Sequence, residues 1–233
     1  MAVPPATNEA FLREVDDELR RDQMATLWER YGKLLIAAIV IGLALFAGYL
    51  YWRHHQEVVR GEQGEKLQTA YDALAANRPA DAAAPLAELA GSSNEGYRAL
   101  ALFTQADILL QKNDFKGAAA KFGEVAGNAD FAPAFRDLAL VRQTAAEFDT
   151  LQPQAVIDRL RTVAVPGNAY FGSAGEMVAV AHLRAGRRDL AGRLFGQIAR
   201  GQDVPATIRQ RAVQMAGLLG VDAVVQNEGQ NSR

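Results

Sequence analysis

Residues 34–52 read LLIAAIVIGLALFAGYLYW, a run of 19 without a single charge. At about 1.5 Å of rise per residue, a helix of that length reaches across the roughly 30 Å hydrocarbon core of a bilayer. A core helix of a soluble domain carries a polar stripe, and this run has none. Trp28 and Tyr31 precede it and Tyr49, Tyr51 and Trp52 close it, where amphipathic rings sit at the headgroup level. Lys33 and Arg53 bracket it and can snorkel outward. The run therefore predicts one transmembrane helix, residues 34–52, that tethers the residues after it to a membrane.

The 33 residues ahead of the run carry seven acidic side chains. A cleaved signal peptide has a short basic leader and a small-residue cleavage site, so an uncleaved anchor fits better. Arg20, Arg21, Arg30 and Lys33 lie before the run, against Arg53, Arg60 and Lys66 after it. That slight excess of positive charge predicts a cytoplasmic N-terminus and an exported C-terminal domain. Within residues 1–33, Thr7 or Asn8 can cap a helix from about Glu9, with Phe11, Leu12, Val15 and Leu19 on one face. This leader reads as partly amphipathic, lying on a membrane or partner or simply solvated.

The 233 residues leave room for one further domain of about 150–170 residues. Net charge is −2 with mixed signs, which removes the basic stripe that nucleic-acid binding needs. Cysteine is absent, so disulfides, thiol catalysis and thiolate metal sites are excluded. Abundant alanine and scarce β-branched runs favour close-packed helices and an all-α chain.

Residues 53–220 repeat. Helix permissiveness continues past Trp52 to Pro79, so the membrane helix leads almost directly into the first repeated unit, with Gly61 and Gly64 as potential bends. Turns centred on Asn77, Asn113, Leu151 and Gly186 recur every 35–38 residues. Before each turn comes a small or short side chain on a first helix: Ala70, Ala106, Thr144 and Ala179. After it come a second such position and a bulky partner: Ala82 and Leu86, Ala118 and Phe122, Val156 and Leu160, Ala191 and Phe195. Small side chains let two antiparallel helices approach, and the bulky residue fills the groove to the next pair. One pair cannot bury its apolar face alone, so pairs stack. The third unit is the poorest match. A closing helix follows near Pro205, and residues 221–233 read as a flexible polar tail.

The spacing and pattern resemble tetratricopeptide repeats in degenerate form. The resemblance implies a right-handed superhelix of helical hairpins. It also implies that first helices line a concave groove, through Leu67, Tyr71 and Leu74, then Leu100, Phe103, Asp107 and Leu110, then Val141 and Phe148. Such an apolar lining suits extended or unfolded protein, unless tight packing buries it or the closing helix fills it. In the anchor, Ala38 with Gly42 and Ala44 with Gly48 form small-xxx-small pairs that admit a neighbouring helix, a second copy included.

The leader FLREVDDELRRDQMATLWERYGK, the far anchor end AGYLYWR and the repeats in this order resemble the YfgM-like ancillary subunits of the bacterial SecYEG translocon, the alphaproteobacterial branch most closely. The resemblance implies a single-pass inner-membrane protein with a periplasmic repeat domain. Its implied partners are translocon subunits, periplasmic chaperones or unfolded clients. The alternative is an envelope scaffold for outer-membrane, division or cytochrome-maturation complexes.

Enzyme signatures are missing. No phosphate-binding G-x-x-x-x-G-K-[ST] loop and no G-x-S-x-G elbow occurs. His54 and His55 point about 100° apart on a helix, too far apart to share one metal. His182 falls where a bulky core residue is expected. The sequence therefore predicts no catalytic residue, no cofactor, no metal and no small-molecule substrate, and a surface for proteins instead.

Overall fold

A computed structural model describes residues 6–223, with side chains placed from residue 28 onward. The described residues contain nine helices and no strand. They are α1 (Ala6–Ala75), α2 (Pro79–Ala90), α3 (Glu95–Gln111), α4 (Phe115–Ala126), α5 (Pro133–Glu147), α6 (Pro153–Leu160), α7 (Phe171–Arg184), α8 (Arg188–Arg200) and α9 (Ala206–Leu218). The chain divides into two units, Met1–Glu62 and Gln63–Arg233.

The described part of the first unit is one helix, and its described apolar side chains form no core. Leu34, Leu35, Ile36, Ile39, Val40, Ile41, Leu43, Leu45 and Phe46 are all exposed. The helix is long and apolar enough to cross a membrane, and none of its most apolar 18-residue window is buried. Near its aromatic end, Tyr49 and Trp52 lie 6.5 Å apart and Tyr51 stacks on His55. The helix already begins at Ala6, ahead of the Thr7 or Asn8 cap that the sequence suggests. The amphipathic face at Phe11, Leu12, Val15 and Leu19 lies outside the residues whose side chains are described.

The second unit is built of pairs. Its first pair joins the end of α1 to α2, followed by α3 with α4, α5 with α6 and α7 with α8. Each of α3 to α9 packs on its neighbours in sequence, and α3, α5, α7 and α9 also touch in series. Ala70, Ala82, Ala106, Ala118, Thr144, Val156, Ala179 and Ala191 are all fully buried, as the close approach of paired helices requires. Leu86, Phe122, Leu160 and Phe195 fill the spaces between pairs and are buried too. Thr144 stands where the other units have alanine, and its hydroxyl donates to the Leu140 carbonyl at 2.8 Å, so no polar group is left unpaired.

Four apolar clusters follow, each shared by one pair and the next first helix. Ala70, Ala82 and Leu86 meet Ala101 of α3, and Ala106, Phe122 and Val125 meet Ala139 of α5. Val141, Val156 and Leu160 meet Ala174 and Val178 of α7. Phe195 and Ile198 meet Ala212 and Ala216 of α9. No pair owns its core, which is the physical reason the units stack.

Local chemistry sets the ends. Pro79, Pro133 and Pro153 open helices at a position whose N–H has no partner anyway. Asn94 accepts from the Gly96 amide at 3.0 Å, and Asp114 accepts from that of Gly117 at 2.8 Å. Asn77, Asn113 and Gly186 turn the chain at φ 55, 59 and 73°. Replacing Gly186 by valine is expected to lower stability by about 1–2 kcal/mol, because a β-branched residue is strained there. A fall in the urea midpoint at unchanged slope checks it.

Two expectations need correction. The compact repeat unit starts at Gln63, not at residue 53, because residues 53–62 bury almost nothing. Residues 221–223 are not a frayed tail. Val221 donates from its amide to Ala216 at 2.9 Å, and Ala223 is buried. The rest of the expected tail, residues 224–233, lies outside the described residues.

Candidate protein-binding surface

The expected groove lining divides by burial. Leu67, Phe103 and Val141 are buried in the clusters just described. They hold the pairs together and offer no surface to a partner, which corrects the expectation for these three. Phe103 lies 5.9 Å from the Phe122 ring and is a core residue. Leu74, Leu110, Phe148 and Asp107 are half-buried. Only Tyr71 and Leu100 are clearly exposed, at 39% and 37%. They sit on α1 and α3, whose facing sides share one cluster.

Asp107 is not free to clamp a ligand. Arg142 of α5 forks onto both of its carboxylate oxygens, one bond being 3.2 Å and the other shorter. The same guanidinium lies 4.6 Å over the ring of Phe122. A second fork joins Arg211 of α9 to Glu176 of α7 at 2.7 and 2.8 Å, and holds the arginine's pKa above its ordinary value. Both pairs span 35 residues, one repeat period. Arg142, Glu176 and Arg211 were missed because charge alone does not reveal a partner. An acid and an arginine one period apart is the signal that finds them.

Arginine also ties consecutive units through backbone. Arg184 donates to the Phe148 and Leu151 carbonyls at 2.8 and 3.2 Å and lies 5.4 Å from the Phe148 ring. Phe148 thus lies between the apolar cluster of α5 to α7 and the Arg184 guanidinium. Arg142→Ala is expected to cost about 1–2 kcal/mol and Asp107→Asn under ~1 kcal/mol, because only the first also removes the stack on Phe122. Thermal unfolding of the two variants checks the ranking.

His182 on α7 is half-buried, and its Nδ1 is buried with no hydrogen-bond partner. Burial first, and then the charge of Arg187, hold its pKa below the usual 6.5. The folded state therefore binds the proton less readily than the unfolded chain. Stability is full above pH 6.5 and falls as pH drops through the interval down to the lowered folded value. His182→Gln is expected to flatten that part of the stability–pH curve, read by denaturant midpoints from pH 8 to about pH 5.

Surface clefts lie on the repeat unit as well. One of about 320 Å³ lies between α2, α3 and α4, floored by Ala83, Leu86, Ile108 and Leu109 and edged by Lys112 and Lys121. Another, of about 510 Å³, runs beside the exposed ring of Phe115, with Glu147 and Asp149 opposite. Among the described residues no group of three His, Cys, Asp or Glu side chains is arranged for a metal ion. In the membrane-length helix, Ala38, Gly42, Ala44 and Gly48 are exposed, and added Cβ atoms at Gly42 and Gly48 would meet open space. Residues turn by about 100° each, so the pair at 38 and 42 and the pair at 44 and 48 face different sides. One neighbouring helix would use one pair, not both.

Residues 26–214 match the tetratricopeptide repeat-like domain family, over most of the chain. The chain belongs to that family. A relative from Haemophilus influenzae, named ancillary SecYEG translocon subunit, is 27% identical over 114 residues. The match covers 47% of this chain and 54% of the relative, so the chain spans about half the length of the curated relative it matches. No solved structure matches it. The repeat-like family accounts for the stacked pairs of helices, and repeats of this kind build extended surfaces that other proteins bind.

Proposed function

We propose that this protein is a non-catalytic adaptor of the bacterial inner membrane that works beside the SecYEG translocon. Residues 34–52 anchor it, residues 1–33 lie in the cytoplasm, and the repeats form a right-handed superhelix in the periplasm. The observation that carries the reading is the likeness to an ancillary translocon subunit, joined to a repeat-like domain match over residues 26–214. The exposed apolar helix supports the anchor. The partners are translocon subunits, and periplasmic chaperones or unfolded clients engage the repeats.

Tyr71 and Leu100 carry the partner contact on the repeats, since they are the expected lining residues left exposed. An apolar pair of this kind suits a short hydrophobic stretch of client or chaperone. Purification of the tagged full chain in mild detergent tests the reading. Translocon subunits are expected to copurify, and the Tyr71→Glu, Leu100→Glu double variant is expected to lose chaperone or client but not translocon. Recovery of outer-membrane, division or cytochrome-maturation components alone would replace the proposal with a scaffold role. Topology has its own check. Protease added to intact spheroplasts is expected to digest the repeats, and their full protection would reverse the orientation.

A further inference from the structure

Charge is divided unevenly along the repeats. Residues 63–152 carry eight basic and twelve acidic side chains, whereas residues 153–223 carry nine arginines against five acids. Several of those arginines hold the fold. Arg159 meets Glu147 and Arg211 meets Glu176. Arg184 and Arg209 donate to backbone carbonyls.

Three others converge on one cleft. Gly186, Arg187, Arg188, Asp189, Leu190 and Arg193 enclose about 450 Å³ where α7 turns into α8. Among the described residues no carboxylate lies within ion-pair distance of Arg187, Arg188 or Arg193, the cleft's own Asp189 included. Arg187 is half-buried and donates to the Gln154 side-chain oxygen at 2.9 Å, a neutral partner. Arg188 and Arg193 are exposed.

The stacking rule asks for none of these side chains. Counted from each turn, Arg188 stands where the other pairs have Pro79, Phe115 and Pro153, and Arg193 where they have Ala84, Ala120 and Asp158. Leu190, 38% exposed, replaces Asp81, Gly117 and Ala155. The first turn also carries an arginine, but Arg78 is paired to Asp81 at 3.3 Å. Arg187 and Arg188 stand at the start of α8, where a positive charge opposes the helix macrodipole and lowers stability.

We propose that the α7–α8 turn docks an acidic segment of a partner protein, with carboxylates on Arg187, Arg188 and Arg193 and an apolar side chain against Leu190. The guanidinium fork matches a carboxylate, and three uncompensated forks around one cleft draw anionic groups toward it. The occupant is a chain segment and not a bilayer, because Arg187 is half-buried within the cleft and a flat lipid surface meets only what protrudes. The proposal rests on the adaptor reading only in taking a protein as the occupant.

The test uses the full chain in nanodiscs of neutral phosphatidylcholine and two labelled decapeptides, one of alternating glutamate and leucine, the other of alternating lysine and leucine. Fluorescence anisotropy is expected to show saturable binding of the acidic peptide alone, weakening as salt rises. Arg188→Glu with Arg193→Glu is expected to weaken it by about tenfold or more. Lys112→Glu with Lys116→Glu makes the same change of charge at the α3–α4 turn and is expected to leave binding within about twofold. Leu190→Ser is expected to weaken it by about threefold, through loss of apolar contact. The unaltered chain has its own reporter in His182, the one histidine of residues 63–223. Burial, and then the charge of Arg187, hold its pKa low, so a carboxylate on Arg187 is expected to move its NMR titration upward. Absence of binding, equal losses from the two charge reversals, or an unmoved His182 overturns the proposal. Slower hydrogen exchange at residues 186–193 in phosphatidylglycerol nanodiscs without peptide would assign the turn to lipid instead, and slower exchange on concentrating the chain alone would assign it to a second copy. These outcomes stand apart from the copurification, since the peptide binds or fails to bind whether or not translocon subunits are recovered.

Discussion

Arginine at both Ile41 and Leu45 is expected to release the chain from membranes into the alkaline-extractable fraction. On insertion scales, each exchange of a central aliphatic residue for arginine costs about 3–4 kcal/mol. Two exchanges exceed what one short anchor gains. Both side chains are exposed, at 60% and 70%, so they contribute nothing to a protein core. Folding of the repeats is therefore expected to survive, which near-unchanged circular dichroism of the released chain would register. Leu45→Ala, which removes bulk without adding charge, is expected to leave the chain in the pellet. Extraction by carbonate at high pH separates the cases. If the double variant stayed fully membrane-bound, the helix would be held by protein and not by lipid.

Phe122→Ala is expected to cost about 3–5 kcal/mol, the largest single loss among the repeat residues. Phe122 is wholly buried between the second and third pairs. It touches Phe103 at 5.9 Å between ring centroids and carries Arg142 4.6 Å above its face. Removing the ring empties a cavity and strips the arginine of its stack, which also loosens the fork to Asp107. Stability in such arrays is a sum over units and their junctions. The loss is thus expected to appear locally, as faster hydrogen exchange in α3 to α5, before it lowers the unfolding midpoint of the whole chain. Phe115→Ala gives the contrast. That ring is 51% exposed, and its removal is expected to change stability by about 0.5 kcal/mol or less.

The pairs were legible because their rule is local. A small residue, a turn and a bulky residue recur at fixed intervals, and every small or bulky residue so marked from Ala70 to Phe195 is buried where the rule places it. Even the poor third unit obeys it, with Val156 and Leu160 fully buried in a helix of only eight residues. The groove was legible only in part. Leu67 and Phe103 lie on the same helices as Tyr71 and Leu100, and Val141 lies on α5, the next first helix; sequence spacing alone does not say how closely the next pair presses on them. The packing of α5 on α4 decides for Phe103, and α6 with α7 for Val141. The seat of Val221 was illegible for another reason. It depends on Gly192 and Gly196 of α8, and on the turn at Gly220 that brings Val221 back onto that helix. The ion pairs fall between these cases, since their period was present in the sequence while their geometry was not.

The adaptor reading rests on one physical idea. On the proposed reading the stack of helix pairs works through the proteins that touch its surface, and a membrane anchor decides which of them it can reach. Photo-crosslinking in living cells tests this most directly, with the photoreactive residue placed at Gly42 or Gly48 in the helix and at Tyr71 or Leu100 on the repeats. All four positions are exposed, so the probe does not disturb a core. Adducts to translocon subunits from the helix positions, and to periplasmic chaperones or exported clients from the repeat positions, are the predicted result. Adducts to lipid alone from the helix, together with none to any exported or translocon protein from the repeats, would contradict it.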